Sequence, residues 1–228
     1  MRKIIFPWLD REFILLCGEA RSSGTVEQQT DELFELFETE LRASQLSLED
    51  TVRTRIFGAD REARELATSA RAKILTGNRK AASSSYISTS HFDSNVRVAL
   101  DLLAMRPSSR SADREAVEFE PARAYISQLR YDSVAFVSGF TSELDSLEDQ
   151  VPAALADIDE ALKTASTSWQ NMARLSVYLS RSQSLELLKQ LLRKANRLDL
   201  ARIEFEFVDG FAREKGLLEV EATAVIAG

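Results

Sequence analysis

Phe13-Ile14-Leu15-Leu16-Cys17-Gly18 and Val134-Ala135-Phe136-Val137-Ser138-Gly139 are two apolar runs, each closed by a glycine, and they lie 121 residues apart. The same offset carries Thr30, Phe34, Phe37 and Leu41 onto Val151, Leu155, Ile158 and Leu162 without a gap. Further on it carries Val52, Ile56 and Leu66 onto Ala173, Val177 and Leu187. Solenoid units recur every 20 to 50 residues or so, so a period of this length is a domain. The chain therefore holds two copies of one fold, and a residue present in only one copy is informative.

Each copy alternates strand and helix periodicity. In the first, residues 12–17 read as a buried strand and 26–44 as an amphipathic helix with Thr30, Leu33, Phe37 and Leu41 on one face. A strand over 51–57, a helix over 61–75 and strands over 82–89 and 95–104 follow. The second copy repeats the order with strand 131–138, helix 148–166, strand 171–179, helix 183–196 and strands 201–208 and 217–226. Helices separated by strands, with two adjacent strands at the end, predict an α+β fold in which one mixed sheet is covered on one face by two helices. The run Met105-Arg106-Pro107-Ser108-Ser109-Arg110-Ser111 has the composition of a loop. It places the first domain at 1–106, a linker at 107–114 and the second domain at 115–228.

Composition narrows the function classes. The chain has 228 residues, 44% hydrophobic and 29% charged, with a net charge of −7. Phosphate binding needs clustered Lys and Arg, whereas the basic residues here are scattered, so nucleic acid is not an expected partner. No apolar run approaches the ~18 to 20 residues of a membrane span. The N-terminus has only three apolar residues before Pro7, short of a signal peptide's apolar region, and the expected location is cytoplasmic. Cys17, the single cysteine, reads as a small core residue. His91, the single histidine, lies in the loop-like run Ser88-Thr89-Ser90-His91-Phe92-Asp93 and reads as a solvated residue or, as the alternative, a contribution to a cleft from the first half. Neither a metal nor any other cofactor is implied.

The last two strands of the second copy carry the chemistry. Ala201, Ile203, Phe205 and Phe207 form one face, and Arg202, Glu204 and Glu206 the other. In the next strand Leu218, Val220, Ala222 and Ala224 face the core, leaving Glu219 and Glu221 on the side that Arg202 faces. This bare polar face is either a solvated surface or an assembly surface.

Ser138-Gly139 closing a strand, Ala201-Arg202-Ile203-Glu204-Phe205 after a helix, and Leu218-Glu219-Val220-Glu221-Ala222-Thr223-Ala224 near the C-terminus resemble the RidA (YjgF/YER057c/UK114) family, with the two copies covering nearly the whole chain. The resemblance implies two tandem chorismate-mutase-like domains. It also implies assembly as a homo-oligomer, a homotrimer by preference, with sheets inward and ligand clefts between subunits. The implied activity is cofactor-independent hydrolysis of an imine, enamine or related small carboxylate-bearing intermediate. In that reading Arg202 clamps the substrate carboxylate through paired N–H donors, which lysine lacks. Glu221 positions the attacking water, with Glu219, on the same strand face, as the second candidate. Gly139 and Phe140 lie where ligand would approach the backbone, although Gly139 also fits a bare turn requirement. Tyr125, 14 residues before Gly139, matches the family's cleft tyrosine or packs ordinarily. The asparagine often found near the family's second helix has no counterpart, since Ser184-Leu185-Glu186-Leu187 occupies that region.

The first copy lacks both catalytic groups. Arg202 aligns with Ala81 or Ala82, and Glu221 with Leu100 or Ala99, depending on register. The first copy is thus a degenerate half that supplies cleft walls, with Lys80 or Arg79 as an alternative cation. The other reading of the chain is a non-catalytic carboxylate-binding or assembly protein built on the duplicated fold.

Overall fold

The computed structural model describes residues 1–21, 23–109, 111–195 and 200–226. The first half runs β1 (Arg2–Trp8), β2 (Arg11–Glu19), α1 (Val26–Ala43), β3 (Thr51–Gly58), α2 (Arg61–Ile74), β4 (Ala82–Ile87) and β5 (Val98–Met105). The second runs β6 (Arg114–Val117), β7 (Gln128–Tyr131), β8 (Val134–Thr141), α3 (Leu147–Thr164), β9 (Met172–Ser180), α4 (Leu185–Lys194), β10 (Ile203–Val208), β11 (Gly210–Phe211) and β12 (Leu218–Val225). They form two six-stranded sheets, ordered β1-β2-β5-β3-β4-β11 and β10-β9-β12-β8-β7-β6. Among the described residues only β3–β4 and β9–β10 pair in parallel, because a helical crossover joins each of these pairs. No helix among the described residues is long and apolar enough to cross a membrane.

The α+β architecture of two mixed sheets, each backed by two helices, follows from local signals. Thr25 caps α1 in a capping box with Gln28, and Ser146 caps α3 by accepting from the Asp149 amide. Phe34, Phe37 and Leu41 of α1, and Leu155, Ile158 and Leu162 of α3, enter separate cores against their own sheets. The offset of 121 maps α1 onto α3 and β4 onto β10 end for end. In the last strand it becomes 120. Val98, Leu100, Leu102 and Ala104 lie in the first core, and Leu218, Val220, Ala222 and Ala224 in the second. Glu221 therefore corresponds to Asp101, and Glu219 to Ala99. The sequence alignments with Leu100 or Ala99 had slid the strand out of this register.

The polar sheet faces meet within one chain. Arg53 of β3 crosses the seam to donate to Thr223 Oγ1 (2.9 Å) and to the carbonyls of Val137 (3.0 Å) and Ala222 (2.6 Å). Arg55 donates to Glu221 through Nε and Nη2, the latter at 2.7 Å from Oε2. Ser84 and Tyr86 of β4 donate to the same carboxylate from above. Tyr86 stacks on Tyr178 at 4.0 Å, and Phe13 meets Phe136 edge-on. The short strand β11, from the second half, pairs with β4 and so extends the first sheet. The face that the sequence left solvated or assembling is thus covered, over β12, by the chain's other half.

Glu221 is 1% exposed and sits against two guanidinium groups. A buried ion pair adds little over an apolar replacement, but removing one partner strands the rest without water. Glu221→Gln, which leaves Arg53 and Arg55 buried without a counter-charge, is expected to lower unfolding free energy by about 3–5 kcal/mol in denaturant titration.

Candidate functional site in the seam between the halves

A break in strand register creates the site. In the β8–β12 pairing Val220 faces Phe140 and Ala222 faces Val137, so Ser138 and Gly139 together oppose the single residue Glu221. This β-bulge turns both residues toward the seam, as bulges beside ligand sites do. The Ser138 hydroxyl accepts from the Ser83 amide of β4 and ties the halves together. Gly139 leaves a space that the Glu219 side chain fills, since a Cβ there would collide with Glu219 Oε1. The first half pairs β2 with β5 around Gly18 without a register shift. The bulge belongs to one copy only.

Glu219 borders a cavity of about 60 Å³ whose walls come from both halves. From the second half come Gly139, Tyr125 and Ala212. From the first come Ser83, Ser84 and Ser85 of β4, with Arg64 and Arg71 of α2. The two arginines are seven residues apart, hence on one helix face, and the small Ala67 between them lets both reach the sheet. Arg64 donates to Ser85 Oγ (2.9 Å), and its Nε has no partner. Arg71 donates to the Ser84 carbonyl (2.7 Å). It also lines an adjoining cavity of about 30 Å³ with Lys80 and Tyr125. Lys80 itself is paired with Glu118.

The two glutamates of β12 are held in opposite states. Glu219 is 4% exposed, and its Oε1 has no hydrogen-bond partner. Burial, and then the charge of Glu221, push its proton affinity up to about 8, against the pull of Tyr86, Arg64 and Arg71. Burial would raise Glu221 as well, but Arg55 and Arg53 hold it down to about 2. Environments that separate two carboxyl groups in this way mark one as an acid and the other as a fixed charge.

The residues selected from sequence divide accordingly. Gly139 and Tyr125 line the cavity, and so does Glu219, the second-choice carboxylate. Glu221 instead spends its oxygens on Arg53, Arg55, Ser84 and Tyr86. Phe140 turns to the other sheet face, against the second core and Phe119. Arg202 lies at the edge of the second sheet in a 3-10 turn, exposed, donating to the Met172 carbonyl (2.6 Å). The structure does not bring Arg202 and Glu221 together. Its repeat position, Ala81, meets the seam because β4 lies there, whereas β10 is an outer strand. His91 is not a solvated loop residue, since it stacks on Phe57 (3.6 Å) and reaches Glu206 of the second half (2.8 Å). Cys17 is partly buried, and burial and Asp101 raise its thiol. The paired arginines of α2 are not legible from the apolar periodicity that marks the helix over 61–75, because charged residues fall outside that pattern. Their i, i+7 spacing was the available signal.

No protein-family model matches the chain, nor does any curated protein. Among solved structures, a chorismatase is similar over 94% of this chain and 75% of its own, with 15% identity and a TM-score of 0.62. The fold is RidA-like, in tandem. Single-domain structures that overlay half of the chain include Rv2704 of Mycobacterium tuberculosis, a member of the YjgF/YER057c/UK114 family, at 22% identity and TM-score 0.43, covering 99% of that protein. NMB1025 of Neisseria meningitidis, a YjgF family protein, overlays 51% of this chain and 97% of its own at 18% identity and TM-score 0.42. At such identities the likeness is one of fold, and the site stands on the geometry of the seam itself.

Two measurements test this geometry. Gly139→Ala is expected to destabilise the protein by about 1–3 kcal/mol through overpacking, and Glu219→Ala to relieve most of that cost, a coupling that a double-mutant cycle in denaturant reads directly. Because the folded state holds the Glu219 proton up to about pH 8 and the ordinary value is 4.5, stability should fall as pH rises between those limits and then level off. Glu219→Gln should remove that slope, at most about 1.4 kcal/mol per pH unit, in thermal unfolding across the pH range.

Proposed function

We propose that the chain is a cofactor-independent hydrolase of the Rid type, a deaminase of small imine or enamine compounds that carry a carboxylate, working at the cleft within one chain. The observation that carries this reading is Glu219, a buried carboxyl group with an unpartnered oxygen and a near-neutral proton affinity, facing two buried guanidinium groups across a small cavity. In this reading Arg71 and Arg64 anchor the substrate carboxylate, the role that the sequence resemblance gave to Arg202. Glu219 takes the part given to Glu221, which instead sets the field around it.

The chemistry follows from a carboxylic acid that starts protonated. Glu219 gives its proton to the enamine carbon, which produces an iminium. The carboxylate so formed takes a proton from a water as that water's oxygen bonds to the iminium carbon. Glu219, protonated again, passes this proton to the nitrogen of the carbinolamine. The C–N bond then breaks, ammonia leaves with the bonding pair, and the hydroxyl proton returns to Glu219 as the ketone forms. Arg64 and Arg71 hold the substrate where each transfer is short, and the seam excludes bulk water.

Ammonia release from enzymatically generated 2-aminoacrylate and 2-imino acids tests this assignment. Wild-type kcat/KM is expected to fall as pH rises through about 8, where Glu219 loses its proton. Glu219→Gln should lower kcat/KM by about 10²- to 10⁴-fold, and Arg71→Met should act mainly through KM. Arg202→Ala should turn over like wild type, and a large loss there would return the clamp to Arg202. Absence of turnover by the wild type on every imine would favour a carboxylate-binding protein without catalysis. The homotrimer suggested by the RidA resemblance belongs to this reading, but the cleft walls come from one chain, so activity per chain should not vary with assembly in sedimentation-matched assays.

A further inference from the structure

A second cavity opens on the other side of the buried carboxylate. It measures about 310 Å³ and is lined by Arg55, Ser176, Tyr178, Glu204 and Glu206, with backbone between them. None of these residues lines the Glu219 cleft, yet the two spaces share a partition. Glu221 bonds to Ser84 on the cleft side and to Arg55 on this side.

The floor of this cavity is a regular patch of sheet. In the parallel β9–β10 pairing Glu204 stands beside Ser176, and Glu206 beside Tyr178. Side chains two residues apart share a face and are about 7 Å apart, while neighbouring strands lie about 5 Å apart. Two hydroxyls and two carboxylates thus form a rectangle the size of a very small ligand. Arg55 enters from the opposite sheet, over the Tyr178 ring at 5.5 Å.

Its polar groups are incompletely used. Arg55 spends Nε and Nη2 on Glu221 and Ser176, its Nη1 makes no hydrogen bond among the described residues, and its side chain keeps 17% of its exposure. The Tyr178 hydroxyl likewise makes no hydrogen bond among the described residues, although the residue is 2% exposed. Glu204 Oε1 meets the Arg174 guanidinium at 3.3 Å, and Glu206 Oε1 meets the His91 ring Nε2 at 2.8 Å. Such exposed pairs are weak, and each carboxylate retains a second oxygen.

We propose that this cavity is a second ligand site, one that takes the zwitterion of a small α-amino acid. The ligand carboxylate meets Arg55 Nη1 and the Tyr178 hydroxyl, and its ammonium group meets Glu204 and Glu206. A lone anion would face both rim carboxylates, and a lone amine would face Arg55. Only a molecule that carries both charged groups on one carbon satisfies the rectangle and the guanidinium above it.

Thermal-shift and calorimetric titrations of the full chain with glycine, L-alanine and L-serine, beside acetate and methylammonium at equal ionic strength, test the site. Stabilisation and saturable heat with at least one amino acid, and with neither half-ligand, are expected. The double variant Glu204→Gln/Glu206→Gln, altered at accessible positions, should keep its unfolding transition and weaken the amino acid by about tenfold or more, the loss expected for one charge-assisted hydrogen bond. Glu219→Gln should bind the amino acid as wild type does. Acetate binding as well as L-alanine, a double variant that binds unchanged, loss of binding in Glu219→Gln, or no response to any of the three amino acids would each overturn the proposal.

Discussion

The carboxylate of Glu221, held between Arg53 and Arg55 with Ser84 and Tyr86 above it, is the contact on which the rest of the molecule depends. It takes the carboxylate from one half and both guanidinium groups from the other. Each group would be prohibitively costly to bury alone, so the halves are constrained to meet in one register. Once that register is set, β4 lies against β8, α2 lies over the bulge, and a cleft closes between them. Burial of charge also explains why the two halves have diverged. Arg53 and Arg55 enter the seam from β3, whereas their repeat positions on β9 are Arg174, which packs over Trp8 at the surface, and Ser176. The surfaces that the two halves bring to the seam are therefore different.

Two residues apart on one strand, Glu219 and Glu221 show how position decides chemistry. Both are buried, and burial alone would protonate both. Two arginines beside one of them reverse the effect, and the resulting negative charge reinforces it for the other. A fixed carboxylate thus keeps its neighbour in the acid form, a division of labour available only where like charges are close and one has counter-ions. The bulge at Ser138 and Gly139 completes the arrangement by making room for the acid's side chain.

Much of this was legible in the chain. The offset of 121 is preserved because insertions inside helices or paired strands would disrupt their packing, so α1 and α3 match end for end. The alternation of Ile203, Phe205 and Phe207 with Glu204 and Glu206 placed the faces of β10 correctly, since the side-chain period of a strand is two. Strands β1, β6, β7 and β11 escaped the reading: β6 and β7 have four residues each and β11 two, too few for a period to register, and the seven-residue β1 contains a proline. The candidate site was legible in part. Gly139, Tyr125 and the Glu219–Glu221 pair were legible, but the order given to the pair, Glu221 before Glu219, rested on the family resemblance, because both residues share one strand face.

The sequence by itself determined the duplication, the α+β architecture of each half and the polar face that the last strands present, because these follow from periodicities along the chain. Only the tertiary structure decided what covers that face, which glutamate keeps a free oxygen, and that arginines from α2, rather than Arg202, stand opposite it. Those outcomes depend on partners 80 to 170 residues away, such as Val137 and Thr223 for Arg53. A proton affinity is set by such neighbours in space, and no pattern local to a strand encodes them.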